Sequence, residues 1–122
     1  MSFTTDSIRN VAIAGHGGTG KTSLVEHILQ AAGAISKAES VDSGKTISDY
    51  TDEEIERKIS IHTSLTHISW KDKKINLLDT PGSSDFIGEV IGAFRTCESV
   101  ILAVGAKVGV QIETIKLWRR LE

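Results

Sequence analysis

One cysteine, Cys97, is all the chain has, so an internal disulfide is excluded. Cys97 lies in an apolar helical pattern and reads as a packed thiol in a reducing, cytoplasmic setting. No apolar run approaches the ~20 residues that a membrane-spanning helix needs, and the opening Met-Ser-Phe-Thr-Thr-Asp-Ser has neither the basic region nor the apolar core of a secretory signal. No membrane partner is expected. The charge balance is also flat: 14 Lys and Arg against 16 Asp and Glu leave a net −2. That excludes a broad basic surface and with it an expected DNA partner, though local basic patches remain open. Internal repeats and low-complexity segments are absent. The 122 residues bound the chain to one domain or less.

Glycine is plentiful in one place. Gly15-His16-Gly17-Gly18-Thr19-Gly20-Lys21-Thr22 matches G-x-x-x-x-G-K-[ST], the loop that cradles polyphosphates. Its glycines let successive backbone N–H groups turn toward an anion with no Cβ in the way. Lys21 can reach the β- and γ-phosphates, and the Thr22 hydroxyl can ligate Mg²⁺. The context fits. Arg9 to Ala14 is an apolar run suited to a strand buried on both faces. Leu24, Val25, Ile28, Leu29 and Ala32 then recur at helical spacing, with Gly33 as a C-terminal stop. The alternative is a glycine-rich turn with a solvated lysine.

Beyond this helix, Ser36 to Arg57 is polar and predicts a long loop with a short helical turn near Asp52 to Arg57. Its acidic Asp52 to Glu56 run predicts a solvated face. Ile59 to Trp70 reads as a strand, Lys71 to Lys74 as a turn and Ile75 to Leu78 as a second strand, together a hairpin. Asp85 is a plausible N-cap for a helix using Phe86, Val90, Ile91 and Phe94. Val100 to Val104 predicts another strand, and a helix from about Gln111 carries Ile112, Ile115, Trp118 and Leu121 on adjoining faces. Strands alternating with helices around a phosphate loop predict an α/β fold, a three-layer P-loop NTPase with a mainly parallel sheet, comprising the first four strands and three helices of such a domain. Its ligand would sit outside the carboxyl ends of the strands.

Asp79-Thr80-Pro81-Gly82 follows a strand and holds the single proline. Alone it is a good turn sequence. With a phosphate loop upstream, its carboxylate can hold Mg²⁺ opposite Thr22, and the Gly82 N–H can meet a γ-phosphate.

The phosphate loop, Asp49 to Arg57, Ile59-Ser60-Ile61, and Asp79 to Gly82 with Asp85-Phe86 resemble the GTPase domain of translational GTPases of the elongation factor G kind. Glu89-Val90, Gly109-Val110 and Trp118-Arg119 add to the resemblance, which runs from about Arg9 to Arg119. It implies GTP or GDP with Mg²⁺ as cofactors, hydrolysis of GTP, and the ribosome as partner. Carried onto this chain, it implies nucleotide contacts from Gly15 through Thr22 and from Asp79 through Ser83. Thr22, Ser60 and Asp79 would serve the metal, and Lys21 and Ser83 would sit at the reacting phosphate. His16 matches a structural histidine of the family. The chain also departs from the pattern. Ser83 stands where the family has the histidine that positions the attacking water, and a hydroxyl lacks imidazole proton chemistry. His62 is one candidate replacement. Lys58 stands where the family has glycine. Gly17 and Gly18 replace an aliphatic residue and an aspartate, which puts the family's monovalent-cation site in doubt.

The guanine-reading Asn-Lys-x-Asp does not occur. Residues 1–122 are therefore expected to be the N-terminal portion of a GTPase domain, partnered by the remainder of a longer chain. Weak GTP binding, or none, is expected of them alone. Two other functions stay open: a nucleotide-gated binding module with negligible hydrolysis, and a partition-type ATPase, whose signature lysine would fall at His16.

Overall fold

The computed structural model describes residues 2–122. Four strands form one sheet in the order β2-β3-β1-β4. Central β1 (Ile8–Gly15) runs parallel to β3 (Lys73–Asp79) and to β4 (Ser99–Ala103), while β2 (Ser64–Trp70) is antiparallel to β3. Helix α1 (Lys21–Ala31) lies on one face. Helices α3 (Ile87–Phe94) and α4 (Ile112–Leu121) lie on the other. The sheet is thus the middle of three layers, and the chain has the α/β architecture that the alternating pattern predicts.

The two faces of β1 differ. Ile13 points into a cluster with Val25, Leu29, Ile68 and Leu77, and Ala14 into a second cluster with Val90 and Leu117. Because both faces are covered, β1 needs apolar residues at successive positions rather than alternation. Helix α1 ends as predicted at Gly33, whose φ of 73° lets the Gly33 and Ala34 amides reach back to the Gln30 and Leu29 carbonyls.

Several expectations need correction. The hairpin strand starts at Ser64, not Ile59. The amides of Ile61 and His62 go to the Glu54 carboxylate and that of Thr63 to Glu89, so these residues have no ladder to join. Only Lys71 and Asp72 form the turn, at φ 47° and 62°, because Lys73 and Lys74 pair with Trp70 and Ser69. The helical turn at Asp52–Arg57 is a helix, α2, giving four α-helices among the described residues rather than three. Thr51 caps it in a capping box with Glu54. Glu54 is fully buried, so the run 52–56 is not simply a solvated face. Asp85 is not a cap: Ser83 Oγ accepts the Asp85 amide at 3.3 Å at the start of a 3-10 turn, Ser84–Phe86, that leads into α3. On α4 the buried positions are Thr114 and Leu117, while Ile112, Ile115 and Trp118 face outward. Cys97 is half-buried beyond α3, with Sγ 3.8 Å from the Phe94 carbonyl. No helix among the described residues is long and apolar enough to cross a membrane.

Candidate functional site

Parallel pairing of β1 and β3 brings two chain segments side by side at the carboxyl ends of the strands. The loop His16–Gly20 leaves β1, and Thr80–Ser83 leaves β3. Between β1 and α1 the backbone must reverse within a few residues. Gly20 does this as the N-cap of α1 in the left-handed region, φ 87°. No side chain caps that end. The first-turn N–H groups and the positive end of the helix dipole are therefore available to an anion.

A cavity of about 530 Å³ opens at this point. Gly17, Gly18, Gly20, Lys21 and Thr22 line it from the first segment, Gly82 and Ser83 from the second, and Asp49, Lys58, Ile59 and Ser60 from the long loop. Lys21 is 6% exposed, and its Nζ donates to the His16 carbonyl at 3.1 Å. That carbonyl also accepts from Thr19 Oγ1 at 2.8 Å, which ties the loop to itself. Burial pushes the Lys21 ammonium below its usual pKa, and the nearby Asp79 and Asp49 carboxylates oppose the shift.

Thr22 Oγ1 donates to Asp79 Oδ2 at 2.8 Å and lies 3.2 Å from Ser60 Oγ, which donates to Asp49 Oδ1 at 2.6 Å. Three side chains from β3, α1 and the long loop thus converge, Asp79, Thr22 and Ser60, the three that the resemblance assigns to a metal. Asp79 is 1% exposed, and burial raises its pKa to about 6 against the opposing hydrogen bond from Thr22. Its second oxygen, Oδ1, is buried with no partner. The Ser48 hydroxyl, itself without another partner, lies close enough to hold the Asp79 pKa down, and a buried carboxylate with the Thr22 and Ser60 hydroxyls beside it suits a hard cation. Among the described residues there is no cluster of three or more His, Cys, Asp or Glu that could hold a metal. One carboxylate and two hydroxyls are a donor set that would fit Mg²⁺, which takes one or two carboxylates and completes its shell with water and phosphate.

Gly82 is needed for a close approach. A Cβ there would stand 2.5 Å from Lys21 Nζ and 2.7 Å from the Gly17 backbone. Other expected site residues lie behind the wall. Thr80 is fully buried, and both its amide and its hydroxyl donate to the Ile13 carbonyl, at 3.1 and 2.8 Å, locking β3 to β1. Pro81 is fully buried, and neither it nor Gly15, Thr19 or Asp79 lines the cavity, Asp79 reaching it only through its bond to Thr22. His16 lines it, while its ring Nδ1 is buried without a partner. His62 lies off the cavity, its Nδ1 3.9 Å from Glu89 Oε1.

Sequence reasoning missed Asp49 as a cavity residue and the buried carboxylates Glu26 and Glu54. Asp49 is 4% exposed, and burial raises its pKa against the Ser60 hydrogen bond. An acidic residue in a polar stretch carries no signal of this. The capping-box spacing Thr51-x-x-Glu54 was the one readable clue to Glu54.

Residues 6–122 match the family model for the elongation factor Tu GTP binding domain. The chain belongs to this translational GTPase family. A tetracycline resistance protein TetO of Campylobacter jejuni is 40% identical over 115 residues, 94% of this chain and 18% of the relative. The mitochondrial ribosome-releasing factor 2 of Danio rerio is 39% identical over 115 residues, 94% of this chain and 15% of the relative. Among solved structures, a Thermus thermophilus protein superposes with a TM-score of 0.89 at 37% identity, covering 93% of this chain and 17% of that one. The bacterial selenocysteine-specific elongation factor EF-Sec gives 0.71 at 26% identity, covering 91% and 17%. The chain spans less than a fifth of the length of these relatives. Within the translational GTPase family, the GTP binding domain implies a guanine nucleotide as ligand.

Proposed function

We propose that the protein to which this chain contributes its phosphate site binds GTP with Mg²⁺ and hydrolyses it in a ribosome-associated step of protein synthesis in the cytoplasm. The observation that carries this is Lys21 and Thr22 on the wall of a glycine-rich cavity, with the buried Asp79 carboxylate accepting from Thr22 Oγ1 just behind that wall. Gly17, Gly18 and Gly20 present backbone N–H groups to the phosphates. Lys21 neutralises the β- and γ-phosphates, and Gly82 donates its N–H to the γ-phosphate from the second segment. Thr22, Ser60 and Asp79 hold the Mg²⁺, directly or through water. Bound there, the ion supplies further neutralisation of phosphate charge. Water forms the new bond to the γ-phosphorus as the bond to the bridging oxygen breaks, giving GDP and phosphate. The residues contribute placement and charge rather than covalent chemistry. The ribosome as partner is supported by the presence of a ribosome-releasing factor among the relatives.

Single-turnover GTP hydrolysis with and without ribosomes tests the proposal. Ribosomes should accelerate hydrolysis by the protein, Lys21→Ala should abolish nucleotide binding, and excess ATP should not compete. Competition by ATP, or Lys21→Ala binding like the wild type, would overturn it.

A second reading has its own support. Ser83 Oγ is engaged as the cap of the 3-10 turn, accepting the Asp85 amide. It can still donate to a water, but it has no proton-accepting ring. On this reading GTP binding gates the loops and hydrolysis is negligible. Absence of ribosomal stimulation, with a sharp gain in rate on Ser83→His, would select it.

A further inference from the structure

Lys58 follows α2 in the left-handed region, φ 54°, as the C-cap of that helix. A side chain is disfavoured there, and glycine or asparagine is the residue such a position favours. The lysine at this strained position lies on the wall of the cavity, two residues from Ser60. Its one ion pair among the described residues is loose: Nζ is 3.8 Å from Asp42 Oδ1, with side chains 56% and 88% exposed. Contacts of that kind contribute little and are readily exchanged. The wall otherwise carries one cation, Lys21, against the carboxylates Asp49 and Glu113. On the loop side, a polyphosphate entering this cavity therefore meets the Asp49 carboxylate and, as the only cation there among the described residues, Lys58.

We propose that Lys58 is a second phosphate-binding cation of the cavity, exchanging Asp42 for the outer phosphates of the bound nucleotide. The inference rests on the nucleotide-binding reading above. It explains why a strained backbone position is occupied by a long cationic side chain. An ammonium–phosphate contact is charge-assisted and stronger than the surface pair it replaces.

Equilibrium titration of the protein with Mg²⁺ and GTP is the test, run on wild type, Lys58→Gly, Lys58→Asn and Lys58→Arg, with a thermal melt of each. Glycine and asparagine accept φ 54° without the charge, so both should melt no lower than wild type yet bind GTP about tenfold more weakly, with a shallower salt dependence. Arginine keeps the charge and should restore most of the affinity. Wild-type affinity in Lys58→Asn overturns the inference, as does a Lys58→Arg protein as weak as Lys58→Asn. Failure of the wild type to bind GTP would overturn the nucleotide-binding reading itself, and this inference with it.

Discussion

A carboxylate buried with one oxygen unpartnered costs free energy, and Asp79 is in that position. Its pKa of about 6 stands above the ordinary 3.8, so between those values the folded state holds a proton that the unfolded state has lost. Stability therefore falls as pH rises through this window. The favourable state exists below the unfolded pKa, and the cost is complete once pH passes the folded pKa. The difference of roughly two units corresponds to about 3 kcal/mol at most. Between pH 4 and pH 8, without divalent cations, the wild type should lose that much more stability than Asp79→Asn, measured by denaturant unfolding. Parallel pH profiles for the two proteins would show that Asp79 ionises normally. The carboxylate that carries this cost and two of the residues that offset it were legible in sequence. Lys21 and Thr22 belong to one short motif, and Asp79 ends an adjacent strand, so spacing alone brings them together. Asp49 was not legible, because nothing in a run of polar residues tells which carboxylate turns inward.

The long loop shows why. Residues 36–63 contain too few apolar side chains to form a core, and the structure holds them instead with carboxylates that accept backbone N–H groups. Glu26 of α1 is 1% exposed and takes the amides of Glu39 at 3.0 Å and Ile47 at 2.6 Å. Glu54 takes those of Thr51, Ile61 and His62, at 3.2, 3.0 and 3.1 Å. Burial alone would raise the Glu54 pKa, but these hydrogen bonds outweigh it and hold the carboxyl below its usual value. Its contribution is present above the unfolded pKa and is lost as pH falls through the folded one. Hydrophobic periodicity cannot report such an arrangement, which is why Ile59 to Thr63 read as strand. Glu26 lies one turn beyond Thr22, so it couples the loop to the helix that borders the cavity. In Glu26→Gln the amide group would face one of the two N–H donors. Hydrogen exchange at Glu39 or Ile47 should then quicken roughly tenfold to a hundredfold, while Val25 and Leu29 in α1 stay protected. Unchanged exchange at both loop amides would show that the loop is held by something else.

Across the whole molecule, burial is uneven. The side of the sheet under α1 is closed by Val25, Leu29, Ile68 and Leu77, and these were readable from helical and strand periodicity. The opposite end was readable as elements but not as surface. Strand β4 is an edge of the sheet, with Ile101 41% exposed. Further along the chain Val108, Val110, Ile112 and Trp118 are more than half exposed. An edge strand offers unpaired N–H and C=O groups, and apolar side chains around it favour pairing with another strand. A net charge of −2 provides little repulsion against this. The 122-residue chain should therefore associate with rising concentration, seen as an increasing weight-average mass in sedimentation equilibrium. Ile101→Lys places a charge on the edge without touching the buried face, so it should shift the mass toward the monomer and leave the thermal midpoint nearly unchanged. Ile68→Lys is the contrasting case, since Ile68 is 7% exposed in the closed cluster, and there the same charge should unfold the chain. A wild-type chain that stays monomeric throughout would mean that the exposed apolar surface at β4 and α4 is too dispersed to act as one patch.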